Sequence, residues 1–187
     1  MGARLWSVGL ALALVAMWEA VARLSGVSAL ILPAPGDVVL TLYEGLTIGF
    51  LWPHIWVTAV ETLAGFAIGC AIGFCAGVVL AESPFLHRLL WPYVLASQVI
   101  PKLALAPIFI VWFGFGMTST IVITALNCFF PLLENTLIGL KAATPETRDL
   151  FRMLGASRRQ TLLRLKLPAG LPVILAGVRV AIVLALV

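Results

Sequence analysis

Three ionisable side chains, Glu61, Lys102 and Glu134, stand inside long apolar runs, and Asn135 follows the last of them directly. A charge in such surroundings must carry a proton, pair with another group or border a polar path, because leaving it bare in hydrocarbon is costly. Gln98, Pro101 and Pro107 surround Lys102, and each proline removes a backbone donor from its run. These residues, Gln98, Pro101, Lys102, Pro107, Glu134 and Asn135, are the candidates for a translocation path. For Lys102 the alternative is a structural kink with the ammonium capping free carbonyls. Catalysis is far less favoured: neither H-E-x-x-H nor G-x-S-x-G occurs, and His54 and His87 lie away from any carboxylate pair. No catalytic residue is assigned. Cys70, Cys75 and Cys128 lack metal-ligand spacing and read as reduced packing residues, so no metal site is expected.

A second polar feature is KAATPETRDLFRMLGASRRQTLLRLKLP, Lys141 to Pro168, which holds seven of the twelve lysines and arginines. It has helical grammar. Thr144 can cap a helix with Pro145 in the first position and Glu146 in the first turn, and Gly155 stands where a left-handed cap would end it. Ser157 can start a second helix that runs through Lys166 and is ended by Pro168. On the first helix Leu150, Phe151 and Leu154 share one face, and Arg148 and Arg152 another. An apolar knob on a short helix suits a partner's groove. The competing reading is an amphipathic element lying on anionic lipid.

The elements that must position these residues are membrane helices. The chain is 62% hydrophobic and 11% charged, with a mean hydropathy of +1.12, which a soluble domain does not show. Nucleic acid is an unsuitable partner, since the net charge of +4 comes from one loop. Apolar runs of about 20 residues, enough for one crossing, extend over Leu5–Leu24, Ile55–Ala81, Leu89–Phe113 and Ser119–Leu140. GFGMTS, Gly114 to Ser119, separates the last two as a tight turn. The prolines predict that the third span is kinked or broken. A fifth span begins near Leu171 and is still running at Val187, so the chain is expected to be a piece of a longer protein. The fold class is all-α, integral to the membrane and polytopic, with about five spans present, the fifth incomplete. The whole chain, 1–187, reads as a single membrane domain.

The asymmetry of lysine and arginine places the N-terminus, the Glu82–Arg88 loop and Lys141–Pro168 on the cytoplasmic side. Ser25–Pro53 then lies outside. Gly65, Gly69, Gly73 and Gly77 recur every fourth residue, forming one small-residue stripe along the second span. Packing within the chain is favoured over a seam between subunits.

DLFRMLGASRRQTLLRLKLP resembles the cytoplasmic EAA loop of binding-protein-dependent ABC transporter permeases, E-A-A-x-x-x-G followed by I-x-L-P. Asp149 stands for the glutamate, Leu150 and Phe151 replace the two alanines, Gly155 is the glycine, and Leu165, Leu167 and Pro168 complete the tail. LPAPGDVV, GFAIGCAIGFCAG, IPKLALAPIFIVWFG and FFPLLENTLIGL are similar to segments of the nitrate/sulfonate/taurine-type branch, which includes permeases for thiamin-precursor pyrimidines. The resemblance implies a six-span, non-catalytic subunit in the bacterial inner membrane, working with a second permease copy and an external substrate-binding protein. A cytoplasmic ABC ATPase dimer would hold ATP and Mg, since this chain has no G-x-x-x-x-G-K-[ST] loop and binds no cofactor itself. Asp149, Leu150, Phe151, Leu154, Gly155, Leu165, Leu167 and Pro168 would couple the loop at 141–168 to that ATPase, and membrane lipid would surround the spans. The alternative is a proton-coupled secondary transporter using Glu61 or Glu134.

The topology is directly testable. Reporters fused after Gly36 and after Gly155 are expected on opposite sides of the membrane, and finding both on one side would overturn the orientation.

Overall fold

The computed structural model describes residues 2–99 and 102–187, with the side chains of residues 2–4, 102 and 103 outside the description. All regular elements among the described residues are helical, in two compact units, Met1–Trp56 and Val57–Val187. Among the described residues, four helical stretches are long and apolar enough to cross a membrane: Leu5–Leu24, Leu51–Glu82, Met117–Lys141 and Arg158–Ala185.

In the first unit, α1 (Gly2–Leu24) is followed by α2 (Pro35–Ile48), a helix that the sequence reading left inside the Ser25–Pro53 connection. Pro35 opens α2 in the first turn, where its missing N–H leaves no bond unmade. Glu19 of α1 accepts a hydrogen bond from Gly36 N at 2.9 Å, so a carboxylate sits at the positive end of α2. Arg23 bonds to Glu19 and lies 3.5 Å from Asp37. Arg23, a cation on the outer side against the general lysine and arginine asymmetry, is thus paired with two carboxylates. Gly49, at φ 94°, then ends α2 in a left-handed cap.

The second unit is built around α6 (Met117–Lys141). On one side lies α3 (Leu51–Glu82), whose Gly65, Gly69, Gly73 and Gly77 are all buried. A Cβ on Gly69 would fall onto the backbone of Ala125, one on Gly73 onto that of Phe129, and one on Gly77 would lie 2.6 Å from Thr136 Cβ. The stripe therefore packs directly against α6 of the same chain. On an adjacent face of α6, α9 (Leu167–Ala185) runs antiparallel to it: a Cβ on Gly139 would lie 2.8 Å from Gly170 O, a Cβ on Gly177 would lie 2.6 Å from Asn135 Cβ, and Cys128 Sγ donates to Ala181 O at 3.4 Å. Leu132, Leu133, Leu137 and Leu140 fill the remaining core along α6.

The expected third span is broken, as its prolines predict. It divides into α4 (Pro84–Val99), a single 3-10 turn at Lys102–Leu105 and α5 (Ala106–Phe113). Neither helix has the roughly 20 residues needed to cross alone. Pro107 sits in the first turn of α5, where its lack of a donor is harmless; Pro101 lies outside the described residues. Gly114 (φ 81°) and Gly116 (φ 126°) make the GFGMTS turn, and Ser119 is buried beneath it, donating to the Gly114 carbonyl.

The α3–α6 seam can be challenged at one atom. Gly69→Val is expected to lower stability by about 2 kcal/mol or more through overpacking, whereas Gly9→Val on α1, with nothing within 4 Å of its Cβ, should stay within about 0.5 kcal/mol. Thermal unfolding in detergent compares them, and equal midpoints would reject the seam.

Candidate functional site

The basic loop forms two short helices, α7 (Pro145–Met153) and α8 (Arg158–Thr161). Thr144 caps α7 through a bond from Thr147 N at 3.4 Å. Its end is a complete left-handed cap: Gly155 has φ 70°, its N–H donates to Arg152 O, and Ala156 N donates to Phe151 O, both at 3.0 Å. Ser157 opens α8 with a reciprocal capping box, accepting from Gln160 N while Gln160 Oε1 accepts from Ser157 N at 2.8 Å. The loop is thus ordered by its own caps.

Two expectations about this loop require correction. Pro168 does not end the second helix, and the fifth span does not begin near Leu171: helical structure is continuous over Arg158–Ala185. A π turn at Leu162–Lys166 precedes the proline, with Leu167 N donating five residues back to Leu162 O. The widened turn relieves the clash that a proline ring would make with the preceding carbonyl, and Pro168 itself falls in the first turn of α9. Secondly, the exposed apolar face of α7 is Leu150, Met153 and Leu154, at 52%, 84% and 74% exposure. Phe151 is half-buried. Met153, which the sequence reading passed over, takes its place.

Behind α7, Arg148, Asp149, Arg152, Arg158, Glu82 and Lys166 border an open cleft of ≈ 550 Å³. Lys166 Nζ donates to Glu82 Oε1 at 2.6 Å, with both side chains mostly covered. This bridge ties the end of α3 to the point where the basic loop becomes α9. No pattern in the sequence identified that pair, since its members lie far apart along the chain. Nearby, loss of solvation and then the charge of Lys141 lower the pKa of His87, which stacks on Trp91 at 5.2 Å. Of the family tail, Leu165 and Leu167 are half-buried and Pro168 is exposed.

The path candidates with described side chains lie on three helices, α4, α5 and α6. Gln98 and Pro107 are exposed, on α4 and α5. Pro101 and the side chain of Lys102 lie outside the described residues. Asn135 faces α9 at Gly177 and donates from Nδ2 to Pro131 O at 2.8 Å, which gives it a packing role beside the helix proline. Glu134 and Glu61 are half-buried, and among the described residues no ion pair reaches either. Arg179 was missed, although a charge inside an apolar span was a readable signal. It is exposed on α9, away from the face formed by Gly170, Ile174, Gly177 and Ala181.

Comparison with known proteins gives a consistent result. The family model for the inner membrane component of binding-protein-dependent transport systems matches residues 69–187. The chain is 35% identical over 176 residues to a formylaminopyrimidine transport permease protein of Halalkalibacterium halodurans, covering 94% of this chain and 70% of the relative. It is 37% identical over 172 residues to a riboflavin transport system permease protein of Chloroflexus aurantiacus, covering 92% and 64%. A taurine transport system permease protein of Escherichia coli is 31% identical over 181 residues, covering 94% and 66%. The chain therefore spans about two thirds of the length of these relatives.

The ion pair that closes the loop onto α3 predicts a rescue. Lys166→Glu should loosen the loop and increase proteolysis between Pro145 and Thr161, and adding Glu82→Lys should restore protection, with a coupling of about 1 kcal/mol. Additive damage in the double variant would show that the pair does not hold the loop.

Proposed function

This chain belongs to the binding-protein-dependent transport system inner membrane components, in the sulfonate/taurine branch, and from that membership we propose that it is the permease subunit of an ATP-driven importer. In this reading two permease copies form the path, an external binding protein delivers the solute, and a cytoplasmic ABC ATPase dimer supplies the work. The solute is a small organic molecule or anion, in keeping with relatives named for taurine, formylaminopyrimidine and riboflavin transport. The multi-pass chain lies in the inner membrane, with its N-terminus and basic loop in the cytoplasm.

The observation that carries the coupling assignment is the outward apolar face of α7. Leu150, Met153 and Leu154 stand exposed on a helix held by caps at both ends. Fixing a helix by caps reduces the ordering cost when a partner binds it. Exposed leucine and methionine on such a helix gain favourable burial in a groove, about 1.5–3 kcal/mol for a fully covered side chain. A force on α7 would pass through the Glu82–Lys166 bridge to α3, and directly along the continuous helix to α9. Both pack on α6, so both seams would move in response.

Gly155 tests this reading. Its left-handed φ makes valine costly by about 1 kcal/mol or more although space is free around it. Gly155→Val is expected to insert normally while reducing uptake and substrate-stimulated ATP hydrolysis together. Leu154→Ala should lower ATPase co-purification roughly tenfold, as expected for a loss of about 1.4 kcal/mol of docking energy. Normal co-purification and uptake in both variants would reject the coupling role. Uptake abolished by a protonophore with ATP held constant would instead favour the proton-coupled carrier.

A further inference from the structure

We propose that the basic cleft behind α7 binds a phosphate-type anion, presented either as the headgroup of an anionic phospholipid or as free phosphate. The site lies on the face of α7 opposite its outward apolar face. Arg148 and Arg152, one helical turn apart, contribute from α7, and Arg158 contributes from the start of α8. Two carboxylates reach the same space. Glu82 is committed to Lys166 at 2.6 Å, which leaves Asp149 against three guanidiniums. Among the described residues no ion pair neutralises Arg148, Arg152 or Arg158.

Three like charges around one open cleft of ≈ 550 Å³ repel one another, and a tetrahedral oxyanion relieves that repulsion. Guanidinium suits it, since the planar fork offers paired donors to two oxygens of one phosphate. Position connects the cleft with lipid. Glu82 is the last residue of α3 and Lys166 the last before α9, so their bridge marks where both apolar helices leave the hydrocarbon zone. The same two helices frame an apolar groove of ≈ 360 Å³ lined by Phe74, Leu163, Leu167, Pro168, Leu171 and Ile174, which spans the position of Lys166 along the chain. A headgroup in the cleft would have room for an acyl chain alongside it, the arrangement expected of basic pockets between membrane helices. The bound anion would brace α7 against α8 and the end of α3, and so stiffen the helix that carries the outward apolar face.

The test uses the purified protein and two probes. Native mass spectrometry compares retention of phosphatidylglycerol with that of phosphatidylcholine, and thermal unfolding is titrated with inorganic phosphate. Retention of phosphatidylglycerol, with half-saturation weakened about tenfold or more by Arg148→Gln/Arg152→Gln and unchanged by Arg159→Gln outside the cleft, supports the site with lipid as its source. A phosphate titration with the same arginine dependence, in the absence of selective lipid retention, supports the site with soluble phosphate as its source. Equal retention of both lipids together with no saturable effect of phosphate overturns the proposal. So does equal weakening by Arg159→Gln, which would mark a diffuse attraction to the loop rather than a cleft.

Discussion

Close backbone approach along α6 is the constraint on which the second unit depends. Among hydrocarbon tails, apolar side chains gain little by meeting one another, so helices adhere through van der Waals contact at short range. The glycines of α3 provide that contact along one seam, and the Gly139–Gly170 and Gly177–Asn135 approaches provide it along the seam with α9. Larger residues at these points would hold the helices apart and lose contacts along the whole seam. Thr136 shows how tight the fit is. It is fully buried against Gly77, and its hydroxyl has no hydrogen-bond partner among the described residues.

Seams of this kind favour sliding or rocking over bending. Each is a row of small contacts with few polar bonds across it, the Cys128–Ala181 bond being one. The basic loop is joined to α3 by an ion pair and to α9 by an uninterrupted helix. Both of these helices pack on the same central helix.

Much of this was legible because single residues carry unambiguous local physics. The four-residue glycine period specified the α3 seam, and the GFGMTS turn contains the positive-φ glycines that its composition implies. Thr144, Gly155 and Ser157 each cap where their chemistry suits a cap. Features made by distant residues were not legible: Glu82 meets Lys166 across most of the unit, and Gly139 finds Gly170 only after α9 folds back. Pro168 misled because proline usually stops a helix, and no sequence pattern announces the wider turn that accommodates it. The neighbours of the path candidates were not legible because a polar residue in a span marks cost, and cost alone does not identify which neighbour relieves it.

The π turn at Leu162–Lys166 has a consequence for angular phase. One extra residue within a helix advances everything beyond it by about 100° relative to an uninterrupted α-helix. The half of Arg158–Ala185 inside the membrane is oriented by its glycines against α6, while the other half aims α8 and the arginines beside it. A regular helix would lock those two orientations together. The wide turn works instead as a fixed rotary offset, so the direction in which the loop presents itself and the face that α9 turns to α6 are set separately.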